Sequence, residues 1–225
     1  EHLENWPVRS RHFKFFITRC IFEQTGKVPA HQTLAGLLDI IAARALFYGD
    51  THPVHLRGAY LNGAVFYDLA DDEWRVLKVT EEGVEIVKES PVKFIRYGHM
   101  APLKVDLSAA EEDFNLIFKY LPINQSDRRL VGPHLITAPV PDFPTAILIY
   151  HGPQGSTKST SAKIMRALVD PSSAPLLSIP TQLAELVQTL RHHYMPAFDN
   201  LSKLRKSISD TFCRAATGEG FTTVS

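Results

Sequence analysis

Ala146-Ile-Leu-Ile-Tyr150-His-Gly-Pro-Gln-Gly-Ser-Thr-Lys158-Ser-Thr160 is the stretch on which the fold turns. Its first five residues are apolar and carry two isoleucines, the pattern of a buried strand. Gly152 and Gly155 then break the run, and a lysine with two hydroxyl residues opens a helix-periodic segment, Ala162 to Val169. Strand, glycine turn and helix in that order form the setting that a phosphate-binding loop requires. Backbone N–H groups of such a loop and of the first helical turn converge on one spot, where the helix dipole also favours an anion. The loop comprises Gly152, Pro153, Gln154, Gly155, Ser156, Thr157, Lys158, Ser159 and Thr160. Lys158 supplies a mobile charge for the outer phosphates of a nucleotide, and the Ser159 hydroxyl suits Mg²⁺. Thr157 stands where the pattern G-x-x-x-x-G-K-[ST] has its last glycine, and a side chain is expected there only at negative φ. The plain alternative is a glycine turn with a solvated lysine. The glycine offsets and the Lys-Ser-Thr run weigh against it.

Downstream, Tyr194-Met-Pro-Ala-Phe198-Asp199-Asn200 is a short apolar segment ending in an acid. An acid at the carboxyl end of a strand beside the phosphate-loop strand reaches the Mg²⁺ that Ser159 would hold. Lys158, Asp199 and Asn200 are therefore the expected catalytic set, with Ser159 and Asp199 as the metal pair. Asn200 can orient a water but cannot take its proton. A strand followed by an Asx turn is the alternative reading of the same residues.

Between these two stretches, Asp170-Pro171-Ser-Ser is a turn and Pro175 to Ile179 a short strand. A helix follows from Gln182 to Leu190, capped by Thr181. Before the loop, helices are expected over 109–121 and, roughly, Ser126 to Pro139. Towards the start of the chain, apolar residues at Phe13, Phe16, Ile17, Cys20 and Ile21 share one helical face over 9–24. Ser10 is the expected N-cap and Gly26 the stop. A second helix, about Ala30 to Phe47, completes an αα-hairpin whose aromatic face is read as core rather than as a base-stacking surface. From Val54 the period becomes two, and Asn62-Gly63 between alternating runs signals a hairpin. Further short strands follow at Trp74–Val79, Val84–Val87 and Val92–Ile95. Asp71-Asp72-Glu73 is read as a solvated turn rather than a metal site, and His192-His193 as a helix end.

Lys plus Arg equals Asp plus Glu at 24 each, so no global field advertises nucleic acid, although a local basic loop would leave that total unchanged. No apolar run reaches the roughly 18 residues of a membrane span. The opening residues lack a signal peptide's apolar stretch. Cys20 and Cys213 are distant in sequence and read as reduced thiols, so a cytoplasmic setting is expected.

After Asn200 a basic helix leads into a glycine-containing loop. The run Phe198-Asp199-Asn200-Leu-Ser, then Asp210-x-x-Cys213-Arg214-x-Ala216-Thr217-Gly218-x-Gly220-Phe221, resembles a group of helicase-like ATPases carried by phages, plasmids and integrated elements. The loop Gly152-x-x-Gly155-Ser156-x-Lys158-Ser159-Thr160 and the phrase Ala167-Leu-Val-Asp170-Pro171 are similar to the same group. So are Pro7-Val-Arg9-Ser10-Arg11-x-Phe13, Pro53-Val54-His55-x-Arg57, Trp74 and Pro91-Val92-Lys93-Phe94. The resemblance implies an α/β fold with a P-loop NTPase, AAA+-like core of the superfamily 3 type, often associated with primases. It implies ATP and Mg²⁺ as cofactors, and an arginine finger and a sensor asparagine that lie beyond Ser225. The core would then be incomplete at its C-terminus.

A loop from Thr217 to Thr223 would face the pore of a homo-oligomeric ring. Lys203, Arg205, Lys206, Arg214, Thr217, Gly218, Gly220 and Phe221 would touch single-stranded or forked DNA, although Glu219 stands where the group often has glycine. The expected organisation is an α+β accessory domain over 1–101, a helix pair plus a β-meander, followed by the ATPase core over 102–225. The leading functional reading is a DNA helicase or translocase of a mobile element. The others are a nucleotide-dependent assembly or defence module without turnover, and a P-loop phosphotransferase.

Overall fold

The computed structural model describes residues 4–201 and 203–218. Its chain divides into two compact units. One comprises Leu3–Val54 with Lys93–Ile95, and the other His55–Val92 with Arg96–Ser225. The division differs from the expected break at residue 101: the meander groups with residues 96–225, and the helix pair groups with Lys93–Ile95.

In the first unit, α1 (Arg11–Thr25) and α2 (His31–Tyr48) form the expected hairpin. Ser10 caps α1 by accepting a hydrogen bond from Phe13 N at 3.2 Å, and Gly26 ends it at φ 66°. Leu34 is buried, while Arg9 pairs with Asp39 at 3.0 Å in the open. The Asn5 side chain donates to Phe94 O at 2.9 Å. Two-residue strands β1 (Val54–His55) and β6 (Lys93–Phe94) fall in sequence where the chain passes between the units.

In the second unit, β2 (Gly58–Leu61), β3 (Ala64–Asp68), β4 (Val76–Thr80) and β5 (Gly83–Val87) form an antiparallel meander in sequence order. Asn62 and Gly63 turn between β2 and β3 at φ 51° and 79°, both left-handed as a two-residue hairpin demands. That turn sets the register Leu61↔Ala64 and Gly58↔Tyr67, which buries Ala59, Ala64, Phe66 and Tyr67.

The expected helix over 109–121 is split into a 3-10 turn, Glu111–Leu116, and a single α-turn, α3 (Ile117–Tyr120). Asp113 reaches back to accept from Ala110 N at 3.0 Å. α4 (Gln125–Thr137) and α5 (Lys158–Val169) follow. Ile117, Leu121, Val131 and Met165 form their shared core. Strands β7 (Leu177–Ser178) and β8 (Phe198–Asp199) pair in parallel, joined through α6 (Leu183–His192). α6 begins at Leu183 behind Gln182, with no side-chain cap, so Thr181 does not take the expected role. The chain then enters α7 (Lys206–Ala216).

The segment Ala146–Tyr150 forms no ladder among the described residues, contrary to expectation. It still alternates as extended chain does. Leu148 and Tyr150 pack on the core cluster, whereas Ile147 and Ile149 face outward at 49% and 75% exposure. Its apolar composition is spent on one face only.

A buried ionic hub holds this unit together. Arg57, fully buried, donates through Nε to Asp170 Oδ1 at 2.8 Å, and its other nitrogens reach the carbonyls of Asp68, Ala101 and Pro171. Asp170 also accepts from Met195 N at 3.1 Å, and Tyr67 Oη donates to Val169 O at 2.7 Å. These bonds tie the meander, the end of α5 and the approach to β8 together. Removing one member of a buried pair strands the other, at a cost of about 3–5 kcal/mol. Arg57→Ala is therefore expected to lower the unfolding free energy by an amount in that range, read from urea titrations as a downward shift of the midpoint, with β8 and the end of α5 losing amide protection together.

Beside this hub, His193 does not end α6 in solvent. Its ring lies 3.8 Å from His99 by centroid, His192 stacks on Tyr97 at 4.3 Å, and Arg166 donates to His193 Nδ1 at 2.7 Å. Burial, then the neighbouring His99 and Arg166, push the His193 imidazole down to about 4, against a pull from Asp170. Burial lowers His99 as well. Both rings are held neutral in the fold while the unfolded chain takes up protons below its ordinary pKa of about 6.5, so their stabilisation is present above that pH and lost as pH falls towards 4. The expected loss for the half-exposed His193 is roughly 1–2 kcal/mol after screening. Urea titrations between pH 7 and 5 should show this slope, and His193→Gln should flatten it.

Candidate functional site

The proposed phosphate loop runs from Gly152 to the first turn of α5 and borders an open cleft of about 320 Å³ lined by Gly155–Thr160. Three left-handed residues shape it: Gly152 at φ 152°, Gly155 at φ 81° and Thr157 at φ 58°. A Cβ on Gly152 would meet Ser156 Oγ at 2.8 Å and force that hydroxyl to shift, and φ 152° is itself strained for any side chain. Thr157 contradicts the expectation of negative φ. It keeps the backbone that a glycine would adopt and carries the steric cost of a β-branched side chain.

α5 has no acid in its first turn, and the dipole of its 12 residues points its positive end at the loop. Lys158 folds back over the loop, donating to Gly152 O at 3.0 Å, Pro153 O at 2.7 Å and Ser156 Oγ at 3.3 Å. Its ammonium thus sits over the turn, where a phosphate would meet it. Pro153 and Ser156 brace the turn, with Ser156 Oγ donating to Pro153 O at 2.8 Å. Nothing distinguishes Gln154 beyond its place in the bend, and Thr160 lies within α5 on the cleft wall.

Opposite the loop, Ser159 Oγ donates to Asp199 Oδ2 at 2.8 Å. The pairing of β7 with β8 matches Ser178 with Asp199 and ends the strand at the acid. The Ser159 hydrogen bond, then that from Asn200 N at 2.8 Å, holds the Asp199 carboxyl below the usual carboxylate range. Asn200 turns away in the left-handed region at φ 60°, with its side chain exposed. An ionised carboxylate beside a hydroxyl, open to solvent at the mouth of an anion-favouring loop, is an oxygen-rich donor set that suits a hard divalent cation. The described residues hold no group of three or more His, Cys, Asp or Glu able to bind a metal without further ligands.

The structure thus brings Lys158, Ser159 and Asp199 together. Lys203, Arg205 and Lys206 are exposed at and before the start of α7, and Arg214 is exposed further along it, with Asp210 interrupting the positive face. Thr217 and Gly218 end that helix, whereas Gly220 and Phe221 lie outside the described residues. Sequence reading missed Arg57, Arg166 and Asp170, the hub that holds the two sides of the site. Arg57 and Asp170 stood in the phrases that carry the resemblance, but nothing in the sequence paired them with each other or with Arg166. Among the described residues no helix is long and apolar enough to cross a membrane, and both cysteines are free thiols, Cys213 exposed.

An anion-favouring loop facing an acid-tipped strand is the class of site that this geometry outlines. Residues 123–223 match the family model of the Actinomycete integrative conjugative element replication protein. The matched stretch contains the loop, Asp199 and α7, and it associates this region of the chain with mobile-element replication. No curated protein and no solved structure matches the chain.

Releasing Thr157 from its left-handed strain is the sharpest local test. Thr157→Gly is expected to raise the stability of the unit by about 1 kcal/mol, measured as an upward shift of the urea midpoint, because glycine adopts φ 58° without a Cβ penalty.

Proposed function

We propose that the chain binds ATP with Mg²⁺ and hydrolyses it as the motor portion of a mobile-element replication protein, a DNA helicase or translocase. The observation that carries this reading is the Ser159–Asp199 contact of 2.8 Å at the N-terminus of α5. It sets a hydroxyl and an ionised carboxylate from separate elements beside the residue that would neutralise phosphate. Ser159 and Asp199 would hold Mg²⁺, which supplies charge neutralisation on the outer phosphates. Lys158 would exchange its contacts with the Gly152 and Pro153 carbonyls for phosphate oxygens. Asn200 would orient water without removing its proton. An arginine from a neighbouring subunit of a ring would complete the charge stabilisation, and α7 with Thr217 and Gly218 would carry the DNA contact. The similarity of residues 123–223 to a replication protein supports DNA as the partner.

One observation favours a second reading, an assembly module that binds nucleotide without turnover. Asn200 is an amide where a base would help, and its backbone is occupied in holding Asp199.

Titration calorimetry with ATP and Mg²⁺, beside turnover with and without single-stranded DNA, separates the two. Lys158→Ala is expected to weaken nucleotide binding at least about tenfold through loss of charge-assisted bonds. Asp199→Asn is expected to abolish DNA-stimulated turnover while retaining measurable binding. Binding with no turnover under any condition would replace the motor with the assembly module, and no binding at all would remove both.

A further inference from the structure

α1 presents an exposed face made of Arg11, His12, Phe15, Phe16, Arg19 and Phe22, bordered by Glu23. Phe15 is 55% and Phe22 51% exposed, which is unusual for phenylalanines sharing one side of a helix. The opposite side, Phe13, Ile17, Cys20 and Ile21, is partly covered, so the outer rings are not the ones packed within the hairpin. Along the exposed stripe the residue types alternate. Arg11, Phe15, Arg19 and Phe22 follow one another at offsets of four, four and three, over about 16 Å of helix. The Arg11 guanidinium lies 5.1 Å from the Phe15 ring centre and that of Arg19 5.7 Å from Phe16. Between Asn5 and Phe22 the chain carries Arg9, Arg11, Lys14 and Arg19 and no acid. Arg9 is engaged by Asp39. Arg19 meets Glu23 only at 3.6 Å with both side chains in solvent, a pair worth little and easily exchanged.

We propose that this face of α1 binds single-stranded nucleic acid, with bases stacking on Phe15 and Phe22 and phosphates held by Arg11 and Arg19. Alternating rings and guanidinium groups match the alternation of base and phosphate along an unpaired strand. Duplex bases stay stacked on one another and offer no ring face to Phe15. An anionic membrane fits less well, because a surface-bound helix segregates its cations from its apolar stripe, whereas Arg19 stands between Phe15 and Phe22. A second copy of the hairpin would have to bury the same arginines against a face of equal charge. The site lies in the first unit and does not rest on the phosphate-loop reading.

Fluorescence anisotropy of a labelled oligothymidine of about 20 nucleotides, with the whole chain in EDTA and without ATP, tests it. Phe15→Ala combined with Phe22→Ala is expected to weaken binding at least about tenfold. Arg11→Gln with Arg19→Gln is expected to lower the salt slope by about 1.4, two phosphates' worth. The exposed Arg44→Gln on α2 serves as the charge control, and helicity by circular dichroism is expected to hold in every variant. Undiminished affinity in the double phenylalanine variant overturns the proposal. So does loss only with Arg205→Gln and Lys206→Gln, which would place the strand on α7. Binding that resides on anionic phospholipid vesicles and not on the oligonucleotide overturns it in favour of a membrane. ATP binding measured separately with Mg²⁺ reports on the loop alone, so either reading can fail without the other.

Discussion

The larger unit depends on a single buried charge, the Asp170 carboxylate. It sits where α5 ends, and two distant parts of the chain converge on it through Arg57 and Met195 N, beside Arg166 one turn earlier in α5. Two charges removed from water are costly unless every remaining lone pair and proton finds a partner. Arg57 meets that condition with three backbone carbonyls besides its ion pair. A misplaced meander or a shifted α5 would leave these groups bare. The hub therefore rewards one arrangement steeply and punishes its neighbours, which non-directional apolar packing alone cannot do.

Positioning of the candidate site follows from that restraint. α5 is held at its far end by Asp170 and carries Ser159 at its near end. The segment anchored at Met195 N runs on to β8 and Asp199 within four residues. Both halves of the Ser159–Asp199 contact are thus referred to the same carboxylate, and neither needs a wide sheet to find the other. Local strain completes the arrangement. Thr157 and Asn200 both occupy left-handed backbone without being glycine, one at the entrance to the helix and one just beyond the acid. Such residues persist only where their surroundings over-determine them.

The parts of the fold that were legible in sequence are those decided by neighbours. Ser10 and Gly26 delimit α1 as their capping chemistry requires, and Asn62-Gly63 fixes the hairpin through backbone that few other dipeptides adopt. The juxtaposition of Ser159 with Asp199 was also readable, because motif spacing encodes it. What escaped was set by distance. The Arg57–Asp170 pair joins positions 113 apart, and no periodicity marks it. The expected boundary at residue 101 rested on local sequence, whereas the meander is joined to the rest of its unit by distant contacts, Arg57 with Asp170 and Tyr67 with Val169 O. The apolar run at 146–150 shows the converse limit: five residues can state a preference for extended chain, but a ladder needs a second strand that they do not specify. Phe15 and Phe22 show a third, since aromatic content at helical spacing cannot say which rings remain uncovered.

The division of the chain also bears on modularity. Because Lys93–Ile95 belongs with the helix pair while His55–Val92 does not, the backbone passes from one unit to the other three times. A unit joined by one passage can be exchanged between proteins by a single recombination event, and one joined by three cannot. Grafting this hairpin onto another protein would need its short third segment, Lys93–Ile95, carried along.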